Sequence, residues 1–318
     1  MPDISVIIVN HNSRNALSKA MVAVRKWSGT LQVQTIVVDN ASTDGSGQMV
    51  YRLYSNVHLI ANGSDVGFVR AGNQGIEAAT GRYIMLLDAH AEVTSGCLDT
   101  LVQVMDAHPR VGACSPQLVS AGGEVAPGAF PSVWSSRRSA ARQTRERPTQ
   151  EVDWLHSACL MVRREVIQQI GGLDARLRHW FGDVHWCLRM QRARWQRVVV
   201  PSAVCHYECP VQDDLPREFG RLRDEYVFWR IARGWLPTWA LYNTRQLRLG
   251  ANWSRLVVAN VLAHNRDPEI KSGLRCAAAR LGWHLRRGPA ILLGSQRPGA
   301  SAASGEGARH LARKSSVR

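Results

Sequence analysis

The sequence predicts an α/β fold, a mostly parallel sheet flanked by helices, followed by a C-terminal helical extension. Three observations predict it. Ile4-Ser5-Val6-Ile7-Ile8-Val9 is a short β-branched run with no polar face, the habit of a strand covered on both sides. Strand-like and helix-like patterns then alternate as far as Leu87, which implies right-handed crossovers on one sheet. Polar residues collect where strands end, at Asn10-His11-Asn12, Asp39-Asn40 and Asp88-Ala89-His90. In such sheets ligands gather at the carboxyl ends of the strands.

After the first strand and a polar loop, Ala16 to Trp27 has helical spacing, and Val33 to Val38 is a second buried strand. Gly45 to Leu53 forms a helix, Val57 to Ile60 a third strand, Ala71 to Ala79 a helix, and Tyr83 to Leu87 a fourth strand. Residues 130–150 are rich in Ser, Arg and Pro and read as a mobile loop. Val152 to Val162 resumes an apolar pattern, Arg164 to Ile170 is a helix stopped by Gly171-Gly172, and Val184 to Met190 is another. Pro216 to His264 is helical, amphipathic and rich in Trp and Arg. Gln296 to Arg318 has little apolar content beyond Ala, and disorder is expected there. The expected division is 1–210 for the sheet domain, 211–295 for a basic helical extension and 296–318 for a basic tail. No internal repeat is apparent.

The formal charge of +15 calls for a partner or a location. Residues 1–130 are nearly balanced, and most of the Arg excess lies from Arg137 onward. No zinc-finger spacing, aromatic RNA-binding signature or basic-region heptad accompanies the charge, so nucleic acid ranks below an anionic membrane surface or a phosphorylated acceptor. The seven cysteines are scattered, which does not read as a disulfide framework. Cys205-His206-Tyr207-Glu208-Cys209 has no second pair at zinc-site spacing, so buried thiols in a reducing compartment are expected. No signal-peptide pattern and no apolar run of membrane-spanning length occur, which suits a cytoplasmic, peripheral protein.

Four segments carry candidate chemistry. In Val37-Val38-Asp39-Asn40-Ala41-Ser42-Thr43-Asp44-Gly45, a carboxylate past a buried strand can take hydrogen bonds from a uracil or thymine imide or a ribose. Equally, Ser42 or Asp44 can simply cap the next helix. Asn62 to Asn73 holds Asp65, Gly67, Arg70 and Asn73 between strand and helix, which suits contact with phosphate or sugar. Asp88 and His90, two residues apart at a strand end, can share a divalent ion that neutralises a diphosphate leaving group. Asp183, in Trp180-Phe181-Gly182-Asp183-Val184-His185, is a candidate general base for an acceptor hydroxyl, or else a helix cap.

The order of these pieces resembles the family-2 inverting glycosyltransferases of the GT-A fold, a Rossmann-like sheet, and specifically their bacterial rhamnosyltransferase-like branch. The resemblance runs from Ile4 to about His206. Its markers include Val9 to Ser13, Val37 to Gly45, Gly67-Phe68 with Asn73, Gly81 to Asp88, Gly171 to Asp174, Asp183-Val184 and Val200-Pro201. It implies that Asp39 recognises the donor base, bordered by Asn10, His11 and Asn40. It implies that Asp88 begins the metal-binding Asp-x-Asp element, that Asp183 deprotonates the acceptor, and that His206 approaches the metal or diphosphate.

Several residues depart from the family pattern. The second metal-binding Asp is His90, the Glu before the base is Gly182, a later acid of that motif is His185, and a common tyrosine is His11. Three readings follow. Asp88, His90 and His206 form a rearranged site for Mn or Mg. Cationic side chains such as Arg70 receive the diphosphate instead. Or the chain is a catalytically silent binding subunit that supports a partner transferase. The expected reaction moves a sugar, rhamnose by analogy with the branch, from a nucleoside-diphosphate donor to a saccharide or polyprenyl-linked acceptor. At the rear, Arg221, Arg223, Arg230 and Arg233 alternate with Tyr226, Phe228, Trp229 and Trp235. This suits either an interfacial helix on anionic lipid or a packed helix with Arg stems over apolar surface.

Overall fold

The computed structural model describes residues 1–120, 122–125, 149–208, 215–262 and 268–293. Nearly all of the Ser/Arg/Pro-rich loop, as well as Cys209 and the basic tail, lie outside the described residues. The chain divides into two compact units, 1–212 and 213–318.

The first unit is built on one mixed sheet. Its elements open with β1 (Ile4–Asn10), α1 (Arg14–Lys26), β2 (Val33–Asp39), α2 (Ser46–Leu53), β3 (His58–Ala61), α3 (Phe68–Ala78) and β4 (Tyr83–Asp88). These follow the sequence pattern to within a few residues at each end. Then come β5 (Ala91–Val93), α4 (Cys97–Ala107), β6 (Val111–Val119), β7 (Gln150–Glu151), β8 (Cys159–Arg163), α5 (Arg164–Ile170), α6 (Gly182–Arg192) and β9 (Gln196–Tyr207). The strand order is β3-β2-β1-β4-β8-β6-β9-β5, with β7 paired to β9. The first four strands are parallel, and β8 runs antiparallel to both β4 and β6.

Ile4, Val6, Ile7 and Ile8 are fully buried because helices cover both faces of β1. The parallel register pairs Asn10 with Asp39 and Val9 with Asp88, so three polar strand ends stand level at one rim. β6 and β9 each carry a proline, and their pairing slips between Pro116 and Gln117. Proline removes a ladder donor and demotes a strand in sequence, which hides both from pattern reading. Five cysteines (Cys97, Cys114, Cys159, Cys187 and Cys205) are buried as free thiols, as expected.

The second unit consists, among the described residues, of α7 (Leu215–Arg233), α8 (Trp235–Leu262) and α9 (Pro268–Leu293). The single helical stretch read from the sequence is broken at Gly234, whose φ of 93° lies in the left-handed region. Tyr226 and Phe228 of the Arg/Trp-rich segment are buried. The Tyr226 hydroxyl lies 3.3 Å from His284 Nδ1, and the Tyr242 hydroxyl donates to the His284 carbonyl. Arg230 donates to the carbonyls of Ile291 and Leu292, and Glu218–Arg280 and Glu225–Arg245 pairs tie the helices together. Much of the segment therefore packs inside its own unit. Two exposed aromatics sit at the start of α8, where Trp235 stacks on Trp239 beside an exposed Leu236, and Trp253 is exposed farther along the helix. No described helix is long and apolar enough to cross a membrane.

Burial, then the neighbouring Arg245 charge, lowers His284 from 6.5 to about 4. The imidazole is neutral in the folded unit, and unfolding releases it to its ordinary proton affinity. Its stabilising contribution is thus whole above about pH 6.5 and lost as pH falls toward 4. We expect the thermal midpoint to drop across that window and proton NMR to find His284 still neutral at pH 5.5. A protonated His284 at that pH contradicts this.

Candidate active site

The donor side is a hydrogen-bonded rim at the ends of β1 and β2. Asn10 is fully buried, and its Nδ2 donates to Asp39 Oδ1 and to Ser42 Oγ, both at 3.0 Å. Asn10 Oδ1 has no partner among the described residues, an acceptor that a bound ligand can satisfy. Asp39 is 6% exposed and Asn40 3%. His11 Nδ1 lies 2.8 Å from the Asn40 carbonyl, so the ring donates there and closes the rim. Asp44 accepts from the N–H groups of Arg14 and Ser46 at the starts of α1 and α2, which settles it as a capping residue.

The loop before α3 is pinned by Asp65. Its carboxylate accepts from Asn40 Nδ2 and from the Gly67 N–H, and it faces Arg178 at 3.4 Å and His179 at 3.8 Å. Burial alone would raise this carboxyl. The Gly67 N–H and the charges of His179, Arg178 and His11 outweigh burial and hold it below its ordinary range. Gly67 has φ 87°, and a side chain there would meet Arg178. Arg70 stands exposed on the first turn of α3. Asn73 corrects the sequence expectation. Its Nδ2 donates to the Leu173 carbonyl and its Oδ1 accepts the Leu173 N–H, each at 2.8 Å. With both ends of the amide committed, Asn73 clamps the 171–174 turn to α3 rather than facing a donor.

At the end of β4, Asp88 Oδ1 accepts from the His90 N–H at 2.8 Å and lies 3.1 Å from His90 Nδ1. This contact engages one oxygen of Asp88 and one nitrogen of His90. His206 lies exposed on β9 opposite Glu92, on the other face of the strand from buried Cys205. No three His, Cys, Asp or Glu side chains gather as a metal site among the described residues. The three-ligand site expected at Asp88, His90 and His206 is therefore not assembled in this arrangement, and no step below is routed through a metal.

Asp183 lies in the first turn of α6 and is 9% exposed. Its Oδ2 accepts the Ser157 N–H at 2.9 Å and its Oδ1 the Val184 N–H at 2.8 Å. One residue on, the Ala158 carbonyl accepts the Asp88 N–H at 2.9 Å. The backbone of 157–158 thus joins Asp183 to the Asp88 strand end. Phe181 precedes the helix in the left-handed region at φ 62°, a sparsely populated conformation for a bulky residue. A Cβ on Gly182 would stand 2.9 Å from Val69 Cγ2, so the family's Glu has no room here. His185 is buried beside Asp174 at 3.6 Å. Burial, then Arg189, pushes it down to about 4, so it is a neutral packing group. Sequence reasoning missed His156, Ser157, Ala158, Arg178 and His179. The Val152 to Val162 run reads as a single apolar stretch, whereas only Cys159–Arg163 is strand.

The glycosyl transferase family 2 model matches residues 5–171, more than half of the chain. An N-acetylglucosaminyl-diphospho-decaprenol L-rhamnosyltransferase of Mycobacterium tuberculosis is 28% identical over 274 residues, covering 75% of this chain and 88% of the relative. A solved mannosyltransferase from Pyrobaculum calidifontis, in complex with GDP-Man and Mn2+, superposes with a TM-score of 0.56 at 19% identity. The match covers 90% of this chain and 86% of that one. GalNAc-T7 with UDP, GalNAc and Mn2+ superposes with a TM-score of 0.57 at 16% identity, over 72% of this chain and 50% of that one. These neighbours share the GT-A fold expected from the sequence. With the matched residues running through the rim at Asn10, Asp39 and Asp88, the chain belongs to glycosyl transferase family 2 and is a glycosyltransferase.

Proposed function

We propose that the chain transfers a sugar from a nucleoside-diphosphate donor to an acceptor hydroxyl with inversion at the anomeric carbon. One observation carries this reading: the Asp183 carboxylate is hydrogen-bonded to Ser157, whose neighbour Ala158 is bonded to the Asp88 strand end. A base is thereby held beside the rim where a nucleotide sugar fits. Asp39, Asn10, His11 and Asn40 take the base and ribose of the donor, and Asp65, Gly67 and Arg70 border its phosphates. Asp183 accepts the acceptor proton as that oxygen bonds to the anomeric carbon. The bond from carbon to the diphosphate oxygen breaks with its electron pair, and the configuration inverts.

Rhamnose as the sugar and a saccharide on a polyprenyl diphosphate as the acceptor are supported by the activity for which the mycobacterial relative is named. Such an acceptor places the enzyme in cell-surface polysaccharide or glycolipid assembly, on the cytoplasmic side of an anionic membrane. The exposed Trp235, Leu236 and Trp239, in a unit rich in Arg, support that location. A divalent cation, Mn or Mg, is the expected cofactor by analogy with the solved neighbours. The assay is therefore run with each ion and in chelator.

Two outcomes are expected. Asp183→Asn lowers kcat by about 10²- to 10⁴-fold, the range for a positioned base, while donor binding by calorimetry stays near wild type. Unchanged turnover removes Asp183 from the role. Liposome flotation recovers the protein with anionic vesicles but not with neutral ones, and Trp235→Ala/Trp239→Ala reduces the recovery. Equal flotation with both vesicle types refutes the membrane assignment.

A further inference from the structure

We infer that His156 is a further catalytic residue of this site, donating a hydrogen bond from Nε2 to the phosphate oxygen that leaves the sugar. The inference rests on the proposed transfer reaction and deepens it.

The tautomer follows from one contact. The Ala158 N–H donates to His156 Nδ1 at 2.9 Å. A nitrogen that accepts from a backbone N–H carries no proton, so the ring's proton is on Nε2. That N–H has no protein partner among the described residues, although the ring is half-buried. The ring is held on two sides, with the Trp154 ring 6.3 Å away at 40° and the Tyr207 ring 5.6 Å away at 49°. Trp154 is only 8% exposed and fixes the wall behind it.

The placement follows from the neighbours. His156 begins the tripeptide whose next residue binds Asp183 and whose third binds Asp88. Tyr207, against its ring, pairs across the sheet with Ala91, the residue after His90. The imidazole is therefore carried by the segment that joins Asp183 to the Asp88 strand end, and it lies against the strand paired with the residue after His90. In the proposed transfer the carbon–oxygen bond of the donor breaks at that strand end. Charge develops there on the departing phosphate oxygen. Asp88 adds a negative charge at the same place, met in part by His90. A preorganised neutral N–H donor stabilises such an oxygen at no reorganisation cost, and no proton needs to move to it. The electron pair goes to the diphosphate, the acceptor proton to Asp183, and the Nε2–H stays on His156.

The competing role is that the ring only closes the 156–158 turn through Nδ1. His156→Asn separates the two. The Asn Oδ1 takes the place of Nδ1 and keeps the bond to the Ala158 N–H, as in an Asx-turn, while the Nε2–H is lost. We expect this variant to melt within a few degrees of wild type and to lose about 10²- to 10³-fold in kcat, as for one oxyanion donor. Acceptor KM should be unchanged, and affinity for the free nucleoside diphosphate, measured by calorimetry in chelator, should fall about tenfold. His156→Gln, which restores an amide donor near Nε2, should recover part of both losses. Wild-type kcat in His156→Asn overturns the inference, and so does unchanged nucleoside-diphosphate affinity. A wild-type protein that transfers no sugar, or an Asp183→Asn variant as active as wild type, strikes the proposed reaction instead. The affinity arm then still decides whether His156 meets phosphate.

Discussion

Two adjacent backbone groups hold the catalytic side of this molecule together. The Ser157 N–H fixes the Asp183 carboxylate, and the Ala158 carbonyl fixes the end of β4 at Asp88. A displacement reaction depends on the distance between base and leaving group, and a misplacement of about 1 Å can cost about 100-fold in rate. In the proposed transfer, placing both attachments on consecutive residues makes that distance a matter of peptide geometry. Side-chain rotamers at longer range have little say in it. The sheet supplies the rest: β8 begins directly after this tripeptide and is antiparallel to β4, so its register sets where the tripeptide falls.

The donor side uses a different device. Asn10, Asp39, Asn40 and Asp65 form a mesh of side-chain amides and carboxylates that is mostly buried. Such networks hold one geometry when nearly every member is satisfied, and a single open acceptor then becomes selective. Here that acceptor is Asn10 Oδ1. The carboxyl of Asp65 is held below its ordinary range by the Gly67 N–H and by the charges of His179, Arg178 and His11. Its charge is used to order the loop, and the loop in turn presents Gly67 and the first turn of α3.

The strand ends at 10, 39 and 88 were legible because a buried parallel strand leaves an unmistakable apolar run, and polar residues directly after it have few other reasons to be there. Asp183 was singled out only by its place in an ordered set of motifs, and its role as base stays a proposal. Asn73 was not legible, since a clamp on Leu173 and a contact to a donor draw on the same amide. The side on which His206 falls was hidden for a geometric reason. Which face of β9 it occupies depends on the slip at Pro116–Gln117 and the proline within β9, and alternation cannot be counted through such irregularities. Ser157 and Ala158 were illegible because they bind Asp183 and Asp88 through main-chain groups, which every residue possesses. In the helical unit, the mixture of Arg and Trp is the same for a packed and an exposed helix. Only the break at Gly234 and the burial of Tyr226 and Phe228 sort the residues between them.

The close approach at Gly67 has a mechanical consequence. Arg178 lies against the glycine's α-carbon and its carbonyl takes the Val69 N–H, so the segment leading to Phe181 and Asp183 rests directly on the loop that borders the nucleotide. A side chain at position 67 would therefore press on both strips of chain at once.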